Sequence, residues 1–218
     1  MRPAPSLVRV VALGDSLTVG FQSFGLFGNT EMSTPYTDFL LGHIRWDFPP
    51  SSLSVEIINK GVVGELSEQM LGRFDLDVIR LSPRVVIILG GSNDLGWGLG
   101  PQEVFSNLRE MYELSLKNQI VPIACTVPSI LGFDAAIPLR TTLNKLIQEH
   151  CRKSEIRCVD LFTATADVAT GRLASIYSAD GLHLNTEGYR KMGDTIYEEG
   201  LCPVLREIIK RDVSSGSA

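Results

Sequence analysis

Short apolar runs alternate along this chain with longer stretches in which apolar positions recur at helical spacing. Runs near Val8–Leu13, Ser54–Asn59, Arg84–Leu89, Ile120–Thr126 and Arg157–Asp160 read as strands. Val85-Val86-Ile87-Ile88-Leu89 is continuous and β-branched, the pattern of a strand buried on both faces of a parallel sheet. The helical spacing predicts helices near Tyr36–Arg45, Leu66–Ile79, Pro101–Asn118, Pro138–Arg152 and Thr186–Lys210, the last interrupted at Gly200 and Pro203. Strands alternating with helices predict an α/β fold, a parallel sheet covered by helices on both faces. No repeat or linker divides the chain, so residues 1–211 are expected to form one domain. Asp212–Ala218, rich in Ser and Gly, reads as a disordered tail.

Polar, glycine-punctuated turns follow the predicted strands. Gly14-Asp15-Ser16-Leu17-Thr18 breaks the first run and places Ser16 where a helix begins. A serine there has unpaired backbone N–H groups beside it, which suit a developing oxyanion. Asp-Ser before an apolar stretch is also an ordinary helix cap, so this turn alone decides nothing. Near the far end, Asp180-Gly181-Leu182-His183 puts a carboxylate three residues before a histidine. Acyl transfer by serine needs such a pair: a base for the hydroxyl proton, and an acid that fixes the imidazole tautomer. Two further turns, Asn59-Lys60-Gly61-Val62-Val63-Gly64 and Gly91-Ser92-Asn93-Asp94, close the second and third strands. Open α/β sheets bind ligands at the C-terminal ends of their strands.

Competing chemistry has less support. The Gly-x-Ser-x-Gly elbow of α/β-hydrolases does not occur, and Thr18 stands where it needs glycine. Ser92 reads as a turn residue and Cys125 as a small buried hydrophobe. His43 and His150 fall in helical stretches. Three histidines and four cysteines lie far apart, with neither Cys-x-x-Cys nor His-x-x-x-His, so no metal or other cofactor is expected.

Composition narrows the class. At 218 residues, 44% apolar and 21% charged, the chain has ordinary globular usage and can bury a large core. A net charge of −5 and a pI near 5.3 supply no basic field for nucleic acid. No apolar stretch reaches membrane-spanning length. Arg2 and two prolines precede an apolar segment that runs straight into Gly14-Asp15-Ser16, unlike a signal peptide. Cytoplasmic residence with reduced thiols is the resulting expectation, with a Cys151–Cys158 bridge left open.

The four turns, in this order, resemble the motif blocks of the SGNH (GDSL-type) hydrolase superfamily: Gly14-Asp15-Ser16-Leu17-Thr18, Asn59-x-Gly61-x-x-Gly64, Gly91-Ser92-Asn93-Asp94 and Asp180-x-x-His183. The resemblance implies a flavodoxin-like three-layer α/β/α sandwich with five parallel strands in the order 2-1-3-4-5. It implies Ser16 as nucleophile, His183 as general base and Asp180 as its orienting acid. The Ser16 and Gly64 N–H groups and the Asn93 amide would form the oxyanion hole, Gly64 being preferred over Gly61 because it closes its turn. Asp15 and Asp94 read as loop-fixing residues that hydrogen-bond nearby backbone.

The substrate is read from apolar residues in loops beside this edge. Phe24, Phe27, Trp97, Ile130 and Phe133 are the candidate contacts, equally readable as satellite cores under their own loops. The leading expectation is hydrolysis of small-molecule carboxylic esters of short to medium acyl chain. Deacetylation of sugars, lysophospholipase and thioesterase activity are alternatives within the same chemistry. A non-catalytic module binding phosphate at the Gly14–Thr18 turn is the alternative outside it, though anion binding gives no reason for Asp180-x-x-His183.

Overall fold

The computed structural model describes residues 7–23, 32–51 and 53–215. Strand β1 (Leu7–Gly14) leads through a single turn, α1 (Ser16–Val19), to two short strands, β2 (Phe21–Gln22) and β3 (Met32–Ser33). There follow α2 (Tyr36–Asp47), β4 (Ser54–Gly61), α3 (Ser67–Gly72), α4 (Phe74–Asp77), β5 (Val85–Leu89), α5 (Ser92–Gly96) and α6 (Pro101–Lys117). The chain continues through β6 (Val121–Cys125), α7 (Ile137–Lys153), β7 (Arg157–Val159), α8 (Leu161–Thr165), α9 (Thr186–Thr195) and α10 (Cys202–Ser215).

Five strands form one parallel sheet in the order β4-β1-β5-β6-β7. Counted among the sheet strands alone this is 2-1-3-4-5. The extra strands β2 and β3 pair antiparallel outside the sheet, a feature the apolar pattern did not announce.

Period-two alternation divides the core. Val8, Val10, Ala12, Val85, Ile87 and Leu89 face one layer with Tyr36 and Leu40 of α2, Tyr189 of α9 and Leu205 of α10. Val11, Leu13, Val86 and Ile88 face the other, with Met70 of α3, Leu108 of α6 and Leu143 of α7. Every residue of β5 is buried, as its unbroken apolar run predicts.

Three expectations need correction. The helix read over Leu66–Ile79 is two short helices, because Arg73 leaves helical geometry between them and turns its side chain towards the strand ends. The long last helix is not cut at Gly200 and Pro203; a π-helical turn over Ile196–Leu201 joins α9 to α10 instead. Gly200 lets that turn lie close on the sheet, since a Cβ there would meet Val159 and Ile123 side chains at 2.9 and 3.0 Å. Helix α10 also continues to Ser215, so residues 212–215 are helical rather than part of a tail; Arg84 pairs with Asp212 at 3.3 Å. Residues 216–218 lie outside the described ones. The four cysteines are free thiols, and Cys151 and Cys158 are not bridged. Among the described residues no helix is long and apolar enough to cross a membrane.

Candidate active site

Helix α1 is one turn held at both ends. Asp15 caps it, its Oδ1 accepting from the Leu17 N–H at 2.9 Å while its carbonyl accepts from Thr18 and Val19. Gly20 closes it in the left-handed region. Ser16 is the first residue of that turn and 5% exposed, at the C-terminal edge of the sheet. Among the described residues its N–H and its hydroxyl have no intramolecular partner.

The end of β4 meets α1, and the end of β5 is tied to the turn that follows β4. Asn59, near the end of β4, donates from Nδ2 to the Thr18 carbonyl at 2.7 Å and accepts the Gly61 N–H at 2.9 Å. The Val62 N–H continues the pairing onto the Gly14 carbonyl at 3.0 Å. The turn that follows holds Gly64 at φ +76, and among the described residues its N–H has no acceptor. Asn93, in the first turn of α5, donates one Nδ2 hydrogen to the Glu65 carbonyl at 2.9 Å and keeps its second. The Gly64 turn and Asn93 are therefore fixed to each other.

The loop before α9 carries the last pair. His183 Nδ1 lies 2.8 Å from Asp180 Oδ2, while Asp180 Oδ1 accepts the N–H groups of Leu182 and His183 at 2.8 and 2.7 Å. Burial pushes the Asp180 carboxyl up, but these hydrogen bonds and the imidazole's charge outweigh it and hold the carboxyl below its ordinary pKa. Ser178 braces the loop, donating to the His183 carbonyl at 2.6 Å and accepting the Gly181 N–H at 2.9 Å. Gly181, at φ +83, passes so close to Leu131 that a Cβ would fall 2.2 Å from its carbonyl oxygen. The ring of Phe21, just past α1, meets the His183 ring edge-on at 4.8 Å, and the Tyr189 hydroxyl donates to the Phe21 carbonyl at 2.7 Å. Phe21 thus joins the histidine loop to the serine turn.

The flanking acids behave differently from the pair. Asp94 is wholly buried and accepts the Ser67 N–H and hydroxyl, anchoring α3. Asp15 is buried with Oδ2 unpartnered, and desolvation raises its pKa to about 7 against the weaker pull of the Leu17 N–H and Arg140. Desolvation likewise lowers the buried Arg140 to about 10.

The candidate substrate contacts separate. Trp97 and Phe133 are 79% and 68% exposed in loops next to Asn93 and to the histidine loop. Ile130 is buried, its carbonyl accepting from Leu173, so it packs beneath its loop rather than offering a surface. Phe24 and Phe27 lie outside the described residues. His43 bonds Asp194 at 2.7 Å, and His150 packs beside Phe105 and Tyr112; neither joins the site. A groove of about 580 Å³ lined by Val121, Cys151, Arg157 and Val204 lies at the opposite, N-terminal edge of the sheet. Among the described residues no three His, Cys, Asp or Glu side chains gather to hold a metal ion.

Sequence reasoning assigns no role to Glu65 or Arg73, the latter making no convincing phosphate or sugar clamp from the sequence. Arg73 donates to both Glu65 carboxylate oxygens, at 2.6 and 2.5 Å, and to the Lys60 carbonyl at 2.8 Å. No local spacing marks this; the only signal is a charged pair flanking a short helix beside a glycine turn.

The sequence model of the GDSL-like lipase/acylhydrolase family matches residues 12–191. An acetylxylan esterase of Geobacillus stearothermophilus is 22% identical over 200 residues, 83% of this chain and 88% of that protein. A crystal structure of a catalytic mutant of an acetylxylan esterase from that organism superimposes with a TM-score of 0.76 at 20% identity, covering 91% of this chain and 96% of that one. A GDSL-like lipase from Bacteroides thetaiotaomicron superimposes with a TM-score of 0.69 at 24% identity, covering 94% and 88%.

Proposed function

Because this chain belongs to the GDSL-like lipase/acylhydrolase family and is a carboxylic ester hydrolase, we propose that Ser16, His183 and Asp180 carry its chemistry through an acyl-serine intermediate. The reading is supported above all by the Asp180–His183 hydrogen bond, set in a loop that Phe21 links to the Ser16 turn. Asp180 accepts a hydrogen bond from the Nδ1–H, which leaves Nε2 as the basic atom. His183 then takes the Ser16 hydroxyl proton as Oγ attacks the ester carbonyl, and returns it to the departing alcohol. Water attacks the acyl-serine by the same route, and the carboxylic acid leaves. Each tetrahedral oxyanion is received by the Ser16 and Gly64 N–H groups and the second Asn93 amide hydrogen, donors already in place before charge develops.

The substrates we assign are small-molecule esters of short to medium acyl chain. Acetylated saccharides are the second reading, favoured by the acetylxylan esterase similarity and by Trp97 and Phe133, exposed aromatic faces of the kind on which sugar rings pack. Four free thiols suit a reducing compartment, so the reading includes cytoplasmic residence. The test is hydrolysis of p-nitrophenyl esters from acetate upward, beside acetylated xylan and N-acetylglucosamine, by wild type and Ser16→Ala, with circular dichroism on both. Activity abolished in a folded Ser16→Ala protein supports the nucleophile; activity retained there rejects it. The chain-length profile, against the rate on acetylated xylan, separates the two substrate readings.

A further inference from the structure

We propose that Arg73 is a positioning residue for the oxyanion side of this site, acting through Glu65 to keep the Gly64 N–H and the Asn93 amide in register with Ser16. The inference rests on the roles given above to Ser16, Gly64 and Asn93.

Arg73 stands at the break between α3 and α4, where its side chain leaves the helix surface and reaches the C-terminal edge of the sheet. Its Nε and Nη2 grip Glu65 in a two-pronged pair, the arrangement a planar guanidinium makes with a carboxylate. Nη2 also donates to the Lys60 carbonyl at 2.8 Å and, more weakly, to the Gly14 carbonyl at 3.4 Å. Nη1 is held at 2.9 Å by Asp77, which in turn takes Lys60 Nζ at 2.8 Å, so the guanidinium cannot swing away. One group therefore touches the end of β1, two residues before Ser16; the end of β4, which opens the Gly64 turn; and the residue after Gly64.

Glu65 completes the link. Its carboxylate belongs to Arg73 and its carbonyl to Asn93 Nδ2. Glu65 is buried, so this pair lies largely out of solvent competition. A brace used only for stability has no need to converge on three segments that each border a proposed oxyanion donor. Lysine would keep the charge but place a single ammonium where the fork now holds several acceptors at fixed angles.

The experiment measures kcat, KM, melting temperature and the affinity for phenylboronic acid in wild type, Arg73→Lys, Glu65→Gln and the double variant. A boronic acid bonds the serine oxygen and becomes tetrahedral, so its affinity reports the oxyanion donors rather than ground-state ester binding. The expected result is a kcat lower by about 10–100-fold in either single variant, KM within about threefold of wild type, and boronate affinity falling with kcat. The double variant should lose little more than either single one, because both break one linkage. Arg80→Met, which removes the exposed Arg80–Asp75 pair, is the control expected to match wild type. If Arg73→Lys does not fold, Glu65→Gln, equal in size, carries the test. Wild-type kcat and boronate affinity in the folded variants, whatever their melting temperature, would overturn the proposal. Full activity in Ser16→Ala would reject the underlying site instead; an inactive Ser16→Ala beside fully active Arg73 and Glu65 variants rejects the brace alone.

Discussion

Asp180 holds His183 twice: one carboxylate oxygen lies 2.8 Å from the ring Nδ1, and the other accepts the histidine's own N–H at 2.7 Å. Ring and backbone are fixed by one residue three positions away, so both the tautomer and the direction of Nε2 are set inside a single loop. Asp180→Asn would offer Nδ1 a side chain that can donate as well as accept, freeing the ring to take the wrong tautomer. The expected cost is about 10²–10⁴ in kcat with little change in KM. Steady-state kinetics on a short ester checks this, and near-wild-type kcat would remove Asp180 from the orienting role.

Asn93 spends one amide hydrogen on the Glu65 carbonyl and has one left for an oxyanion. Asn93→Ala should lower kcat by about 10²–10³, the typical cost of one lost oxyanion donor, with a smaller change in KM. Asn93→Asp replaces the donor with a carboxylate facing a developing negative charge and should be at least as slow. Unchanged kcat in Asn93→Ala would exclude it from the hole.

The parts of this architecture that were legible in the sequence share a physical reason. Strands buried on both faces must be apolar at every position, so Val85–Leu89 announces itself, and turns at strand ends must carry glycine and polar residues, so the first three motif blocks stand out, while Asp180-x-x-His183, in the loop before α9, shows by its spacing alone. The turns α1, α5 and α8 span only four or five residues, too few for a helical period to register. Arg73 was invisible for another reason: residues 14, 60, 65, 73 and 77 meet only because parallel strands end side by side, and no spacing tells which carbonyl a guanidinium will reach. Apolar loop residues looked alike in sequence, yet Ile130 is buried and Trp97 lies open. That difference is decided by tertiary packing.

Asp15 makes stability depend on pH in a definite direction. Desolvation lifts its folded pKa to about 7 from the ordinary 3.8, and one of its oxygens has no partner. Between those values the folded chain binds a proton that the unfolded chain has released, so stability falls as pH rises through this interval and levels off above it. The slope should cost about 2–3 kcal/mol from pH 5 to pH 8. In Asp15→Asn the amide oxygen can still accept the Leu17 N–H, but nothing titrates, so this component disappears. Urea unfolding of both proteins at pH 5, 6, 7 and 8 checks it: parallel stability curves would mean that Asp15 is ionised throughout.

Trp97 tests what the site accepts. It is 79% exposed, so Trp97→Ala should change stability by no more than about 0.5 kcal/mol, and any change in activity then reports contact with substrate rather than with the core. If its face receives acyl chains, acetate turnover should hold while longer esters lose ground, by up to about fourfold in kcat/KM for each methylene no longer covered. If its face receives sugar rings, simple esters of every length should keep their rates and acetylated xylo-oligosaccharide should lose them. Both outcomes place Trp97 at the rim of the site and choose between the two substrate classes. Equal profiles on both series would leave Trp97 as bare surface and turn attention to Phe133, on the neighbouring loop and nearly as exposed.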